Sequence, residues 1–171
     1  MSIRPIVTLG DARLRLVGKP VVRFDRELAQ LLDDMVETMD AAPGVGLAAQ
    51  QIGLDLQLFV MRVDDELYEV ANPEILHRSG EEGAWEGCLS VPGYRAWRLR
   101  AEHAVVSGQD RRGRRVTISG HGELARAIQH EFDHLHGELY IDGLPPGEEI
   151  ITEEELDRRL GDESGEKPGE G

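Results

Sequence analysis

Two histidines, His130 and His134, lie four residues apart and enclose a glutamate, Glu131. On a helix, residues at this spacing share one face, with Cβ atoms about 5–6 Å apart, so both imidazoles can reach one ion. The H-E-x-x-H arrangement is typical of metal-activated hydrolases, in which the glutamate handles protons. The spacing therefore predicts two metal ligands and a general base, but it does not choose a reaction.

A catalytic metal of this kind needs a third protein ligand, because such sites use three protein groups and keep the fourth position for water. Any carboxylate could serve, and so could Cys88, the only cysteine, which follows Gly87. Free cysteine is also among the most buried residue types, so an inert buried thiol explains Cys88 equally well. From the residues alone the third ligand stays open.

Asp133 lies in the same segment, and no arginine or lysine stands one helical turn away from it. An ion-pair partner would have to come from the predicted sheet, where Arg98 and Arg100 are the candidates, and a solvated charge is the alternative. The other four histidines have no partner at ligand spacing, and we interpret them as surface residues: His77, His103, His121 and His136.

Hydrophobic spacing indicates the helices that must position these side chains. A first helix follows Asp25 as its N-cap and stops before Pro43, and a second helix, which carries the motif, covers residues 122–137. A third, short helix covers residues 152–160 and opens with a capping-box spacing.

Strands are predicted as two hairpins. Residues 56–63 and 67–76 form the first, and residues 94–107 turn back into 116–118 to form the second. The Gly-rich and Ala-rich stretch 44–53 has few polar residues and is expected to run through the interior or along a cleft. Strands segregated from one helix favour an α+β fold, with antiparallel β-sheets packed around a central helix that carries the H-E-x-x-H motif.

The 171 residues are enough for one domain with its own core. We expect a catalytic domain over residues 1–147 and an acidic segment over 148–171, made of the short helix and a disordered tail from residue 161. This segment holds ten acidic and three basic residues, a net charge of −7 out of −14 for the chain. Such a charge disfavours direct nucleic-acid binding. A lone cysteine and the lack of any run of roughly 18 apolar residues predict a cytoplasmic protein without membrane association.

Three segments of the chain stand out together: Gly44-Val45-Gly46-Leu47-Ala48-Ala49-Gln50-Gln51, Glu86-Gly87-Cys88-Leu89-Ser90 and Gln129-His130-Glu131-Phe132-Asp133-His134-Leu135-His136-Gly137. In sequence, order and spacing they resemble those of peptide deformylase. The resemblance extends in layout from about Ile3 to Leu144. It implies a bacterial-type polypeptide deformylase, which removes the N-formyl group from the terminal formyl-methionine of newly made polypeptides and releases formate.

The resemblance also implies the roles of the site residues. Cys88, His130 and His134 would hold one divalent metal ion per chain, expected to be iron(II), with nickel, cobalt or zinc able to replace it. A metal-bound water would be the nucleophile and Glu131 the general base and acid. The side-chain amide of Gln51 and the backbone N–H of Leu89 would donate to the oxyanion.

Substrate contacts are expected from residues beside the metal ligands. The candidates are Val45, Gly46, Trp85, Arg95, Arg126 and Ala127. Small Ala127 leaves room for a methionine side chain, and Arg126 would line the pocket with its alkyl stem while its head reaches water. Arg95 is expected either to meet the peptide backbone or to be solvated. A nascent polypeptide as substrate implies transient association with the ribosome, although ribosomal RNA should repel the acidic tail.

Three other hypotheses about the function remain open. A general metallopeptidase would use the same helix motif to cleave internal peptide bonds. A thiol enzyme would use Cys88 as its nucleophile and would survive metal removal. A non-catalytic metal-binding domain would show no turnover at all.

Overall fold

The computed structural model describes residues 2–162 as an α+β fold, the predicted class. The helices are α1 (Arg26–Ala41), α2 (Gly122–His134) and α3 (Glu153–Asp162). The strands are β1 (Gly46–Ala48), β2 (Leu58–Val63), β3 (Glu66–Ser79), β4 (Glu82–Cys88), β5 (Val91–Arg100), β6 (His103–Gln109), β7 (Arg115–His121) and β8 (Ile151–Thr152). Short 3-10 turns cover Ala12–Arg15, Ala49–Ile52 and Tyr140–Gly143.

The strands form two antiparallel sheets. One has five strands in the order β1-β2-β3-β6-β7, and the other has three in the order β4-β5-β8. The predicted first hairpin is confirmed as β2 and β3, which turn at Asp64 and Asp65, both with positive φ. The turn between β6 and β7 also lies where it was predicted, closed by a hydrogen bond from Gly113 N to Asp110 O of 3.0 Å.

Helix α2 is the central helix, and its apolar face lies on the five-stranded sheet. Ile128 and Ala125 are fully buried in a cluster with Phe59 and Met61 of β2. The helix ends at His134, three residues before the predicted end, and Gly137 has the left-handed conformation predicted for it, with a φ of +75°. Burial of this face holds the opposite face of α2, which carries the motif side chains, in a fixed direction.

Helix α1 covers the other side of the core. Asp25 caps it as predicted, because its side chain accepts a hydrogen bond of 3.1 Å from the backbone N–H of Leu28. Leu32, Met35 and Met39 are buried against the stretch that contains β1 and the following 3-10 turn. This Gly-rich and Ala-rich stretch is therefore interior, as its composition indicated.

The prediction of one strand over residues 94–107 is wrong. The stretch divides into β5 and β6, which belong to different sheets. At the break, the side-chain amide of Gln129 accepts from Ala101 N at 3.0 Å and donates to Ala101 O at 2.9 Å. A side chain from α2 thus satisfies the backbone groups that a continuous strand would have paired, and no local sequence pattern contains that information.

The C-terminal segment packs on the smaller sheet. Strand β8 pairs with β5 through Tyr94↔Thr152 and Arg95↔Ile151, and α3 follows it. The Thr152 hydroxyl accepts from Glu155 N at 3.1 Å, as the capping-box spacing predicted. Helix α3 continues to Asp162, past the predicted end at residue 160, and the rest of the predicted tail lies outside the described residues. Within residues 2–162 no helix is long and apolar enough to cross a membrane.

Candidate active site

The three predicted metal ligands converge at one point. Cys88 ends β4, and His130 and His134 project from α2, with one ligand atom from each residue lying within 4.8 Å of the others. His134 Nε2 is 3.3 Å from Cys88 Sγ, and the two imidazole centroids are 5.0 Å apart. One sulfur and two imidazole nitrogens fit a divalent transition metal and leave a further position for water.

The pairing of β4 with β5 is irregular next to Cys88. Glu86 faces Ala96 and Cys88 faces Val91, so between these two pairs β5 contains three more residues than β4. On β4 itself, Glu86 and Cys88 stand two residues apart, a spacing that places strand side chains on one face. Both side chains therefore reach α2, where Glu86 contacts His130 and Cys88 contacts His134.

Glu86 is the centre of a buried charge cluster behind His130. Its carboxylate accepts from His130 Nδ1 at 2.5 Å, from Arg100 Nη2 at 2.7 Å and from Arg126 Nη1 at 2.9 Å. Arg100 continues the cluster, because its Nη1 donates to Asp133 at 2.6 Å. With Nδ1 of His130 bonded to a carboxylate, the ring presents Nε2 toward Cys88 and His134, which is the tautomer that a metal ligand needs.

Burial and charge set different protonation preferences at neighbouring groups. Burial by itself raises the pKa of Glu86, but His130 and Arg100 outweigh it and hold this pKa well below the ordinary range. Burial raises the pKa of the Glu131 carboxyl to about 7. Burial and the adjacent His130 lower the pKa of His134, which favours the neutral imidazole. Glu86 thus stays an anion, whereas Glu131 can both take and release a proton near neutrality.

Glu131 is held beside β1. A Cβ on Gly46 would lie 2.7 Å from Glu131 Cδ, so only glycine leaves the carboxylate its position. Glu131 is buried, lines the cleft, and its Oε1 has no hydrogen-bond partner among residues 2–162. A buried carboxylate oxygen without a partner, on a side chain that lines a cleft, is a candidate for proton transfer.

Gln51 is oriented by the 3-10 turn that contains it. Its Oε1 accepts from Ala48 N at 2.9 Å, which directs its amide nitrogen to Ser90 Oγ at 3.1 Å and to Cys88 Sγ at 3.5 Å. The donor end of the amide therefore lies at the metal-ligand cluster. Leu89, the next residue after Cys88, lines the same cleft.

A cleft of about 710 Å³ opens onto this cluster. All six predicted substrate-binding residues line it, together with the catalytic candidates: Val45, Gly46, Trp85, Arg95, Arg126 and Ala127, with Gln51, Leu89 and Glu131. Cys88 and His130 also line the cleft, whereas His134 is fully buried beneath them. The volume suits a short peptide rather than a folded protein.

The two arginines of the cleft differ from expectation. The Arg126 head was expected to reach water, but it donates to Glu86 and also to the carbonyls of Arg98 at 3.0 Å and Glu82 at 2.7 Å. These three acceptors lie on β4 and β5, which hold the guanidinium in place. Arg95 is not simply solvated either, since its Nη1 lies 2.9 Å from a carboxylate oxygen of Glu153.

Comparison with known proteins agrees with this geometry. The polypeptide deformylase family profile matches residues 3–149. The peptide deformylase of Acidothermus cellulolyticus is 46% identical over 146 residues, covering 85% of this chain and 81% of the relative. The chain belongs to the polypeptide deformylase family.

Solved deformylase structures share the fold. The peptide deformylase from Thermotoga maritima superposes with a TM-score of 0.83 at 42% identity, covering 85% of this chain and all of the other. The peptide deformylase from Ehrlichia chaffeensis in complex with actinonin gives a TM-score of 0.81 at 40% identity, with 85% and 91% of the two chains covered. The deformylase profile ends at residue 149, before β8 and α3.

Sequence reasoning on this deformylase missed Glu86 and Ser90. Glu86 stands two residues before Cys88, a spacing that places strand residues on one face, and that signal was available. The partner of Asp133 is resolved in favour of Arg100 at 2.6 Å, because Arg98 is 3.8 Å away. The four remaining histidines take no part in the site; three are exposed and His103 is half-buried.

Proposed function

We propose that Cys88, His130 and His134 hold the catalytic metal of this deformylase and that Glu131 transfers the protons. The activity follows from the family: the chain is an enzyme that removes the N-formyl group from newly made polypeptides. The observation that carries the assignment is the convergence of one sulfur and two nitrogen ligand atoms within 4.8 Å, beside a buried carboxylate.

A bound divalent metal supplies Lewis acidity, which lowers the pKa of a water and polarises the formyl carbonyl. Glu131 takes the proton of the attacking water with its unpartnered oxygen. It then gives that proton to the departing amine, so that formate and a peptide with a free N-terminal methionine are released. A pKa near 7 suits both steps.

Oxyanion stabilisation is assigned to Gln51 and Leu89. The Gln51 amide nitrogen lies 3.5 Å from Cys88 Sγ and is fixed by the bonds at both ends of its side chain. Removing one preorganised donor of this kind typically lowers the rate by about 10²–10³-fold. The backbone N–H of Leu89 would be the second donor, next to the ligand loop.

The peptide is assigned to the edge of β1. This strand ends the five-stranded sheet, so an extended peptide can add to it through the backbone of Gly46. Ala127 and Val45 would border the methionine side chain with Trp85, while Arg126 forms a wall fixed by Glu86. Arg95 would meet the residues that follow methionine.

We also propose which metal the enzyme uses, where in the cell it works and which partners it meets. Iron(II) is the proposed ion, with nickel, cobalt or zinc as replacements, because mixed sulfur and nitrogen ligands accept several divalent metals. A thiolate ligand and a nascent polypeptide substrate support a cytoplasmic location and a transient meeting with the ribosome.

The proposed boundary of the catalytic domain remains at residue 147. We propose that residues 161–171 of the acidic segment are dispensable for activity on short peptides. Residues 151 and 152 differ from this tail because they form β8, which pairs with β5. Their removal would expose a strand edge beside the cleft, so we expect the enzyme to need them.

Formate release from formyl-Met-Ala-Ser, with and without a chelator, tests the assignment. We expect turnover by the iron- or nickel-loaded protein, loss with the chelator and recovery when metal is added. Turnover that survives complete metal removal would favour Cys88 as a nucleophile instead. Cleavage of internal peptide bonds would favour a general metallopeptidase, and absence of formate from the loaded protein would overturn the assignment.

A further inference from the structure

We propose that Glu153, from the C-terminal segment, is a specificity-determining residue that makes the cleft discriminate against peptides with an acidic side chain soon after the formyl-methionine. The inference rests on the deformylase function and adds the charge preference of the same site. Glu153 lies in the C-terminal segment, beyond the family profile, which ends at residue 149.

The C-terminal segment is fixed next to the cleft. Strand β8 extends the smaller sheet by pairing with Tyr94 and Arg95 of β5. Leu156 of α3 is buried, and α3 contacts β5 directly. Glu153 follows β8 immediately, so backbone pairing and apolar burial hold it at the cleft wall.

Glu153 pairs with Arg95, whose Nη1 also donates to the carbonyl of the neighbouring Tyr94 at 2.9 Å. Arg95 Nη1 lies 2.9 Å from Glu153 Oε1, with the side chains 35% and 51% exposed. The guanidinium of Arg95 lies against Gly87, where a Cβ would collide with it. Gly87 directly precedes Cys88, so this ion pair lies beside the segment that carries the proposed metal ligand and lines the same cleft.

The remaining charges around the opening are acidic. We define the rim as Glu82, Arg95, Glu123 and Glu153, all of which line the cleft. Glu82 and Glu123 are exposed, and neither forms an ion pair with another residue in the part of the chain that the structure describes. Because Glu153 neutralises Arg95, the rim as a whole is acidic.

This charge distribution acts on the residues after methionine. An extended peptide advances about 3.3 Å per residue, so its second and third side chains pass the rim while the formyl group lies at the metal ligands. A carboxylate there meets like charges and finds Arg95 already paired, whereas a lysine meets carboxylates. Exposed pairs of this kind shift rates modestly and are screened by salt.

The test measures kcat/KM for formate release from formyl-Met-Ala-X-amide and formyl-Met-X-Ala-amide, with X as Glu, Gln or Lys. The metal-loaded wild type is compared with Glu153→Gln, with Arg95→Gln and with the matched control Glu154→Gln, an exposed residue of α3 outside the cleft. The expected result is a Glu/Gln rate ratio raised about three- to five-fold by Glu153→Gln and lowered by Arg95→Gln. The control should match the wild type, and both shifts should shrink at 0.5 M salt.

The opposite directions separate specificity from structure. Both variants break the same ion pair, so a purely structural role would move the ratio in the same direction for both. That result, or a Glu153→Gln ratio equal to that of Glu154→Gln, would overturn the proposal. If the wild type released no formate from any of the peptides, the deformylase function itself would fail, and this inference with it.

Discussion

Two arginine–carboxylate groups border the same cleft and differ in their surroundings. The cluster of Glu86, Arg100 and Asp133 is buried behind His130, where the Glu86 and Arg100 side chains are only 5% and 4% exposed. The pair of Arg95 and Glu153 stands in water at the rim, 35% and 51% exposed. The contacts are of similar length, at 2.7 Å and 2.9 Å.

The difference shows that environment, rather than contact distance, decides what an ion pair does. In the interior, removing one partner leaves an uncompensated charge that water cannot reach, so the group acts as a rigid support for His130. At the rim, solvent screens both partners, and the pair contributes little to folding. It can therefore respond to the charge of a passing peptide, which a buried cluster cannot do.

The largest effect is expected from the buried carboxylate to which we assign proton transfer. Glu131→Gln should lower kcat/KM for formate release by about 10²–10⁴-fold, because it removes the proton acceptor and donor. Metal content and thermal unfolding should stay close to those of the wild type. The exposed Glu138→Gln serves as the control. Wild-type turnover by the Glu131 variant would show that another group transfers the protons.

The support behind His130 is tested by Glu86→Gln, which keeps the shape but removes the charge. We expect the free energy of unfolding to fall by about 3–5 kcal/mol, measured by urea titration, because Arg100 and Arg126 lose their shared partner. Metal affinity should weaken about 10–100-fold through the loosened His130. The exposed strand residue Glu74→Gln should change neither quantity. If the Glu86 variant kept the stability and metal affinity of the wild type, the distinction between the buried cluster and the rim pair would disappear.

Gly46→Ala tests whether Glu131 depends on the space beside β1. The added Cβ would lie 2.7 Å from Glu131 Cδ, so the carboxylate has to move. We expect kcat/KM to fall about 100-fold, with the fold retained by circular dichroism, because a shift of about 1 Å has this cost in a catalytic group. Gly161→Ala, where a Cβ meets nothing within 4 Å, is the matched control. Equal activity of the two variants would contradict the requirement for glycine at position 46.

The smallest effect on stability is expected at the rim. Glu153→Gln should change the free energy of unfolding by only about 0–1 kcal/mol in the same urea titration, since its ion pair is exposed. Its consequence should lie in peptide selectivity instead. A loss as large as that expected for Glu86→Gln would mean that the rim pair is structural, and the contrast between the two groups would disappear.

Local patterns were sufficient for several features of this protein. The helix spacing of His130, Glu131 and His134 predicted two metal ligands and a carboxylate side by side, and hydrophobic periodicity identified α1, with its N-cap, and α2. The turn residues between β2 and β3 and between β6 and β7 were also recognisable. Each of these depends on interactions within about four residues, which a single sequence contains.

Other features depend on residues far apart in the chain. The division of residues 94–107 into two strands is stabilised by Gln129, and the fixed head of Arg126 depends on acceptors in β4 and β5. The sequence alone left Asp133 with two candidate partners, and the structure selects Arg100.

The sequence by itself determined the reaction, by resemblance, and predicted which residue types would handle protons and metal and on which helix they lie. Only the tertiary structure decided which charges are buried together and which remain in water, because that follows from packing of distant elements. Glu86 lies within β4 and Glu153 at the start of α3, and the local sequence does not show which of the two carboxylates is buried. Their different neighbours in space make one a support for His130 and leave the other at the rim of the cleft.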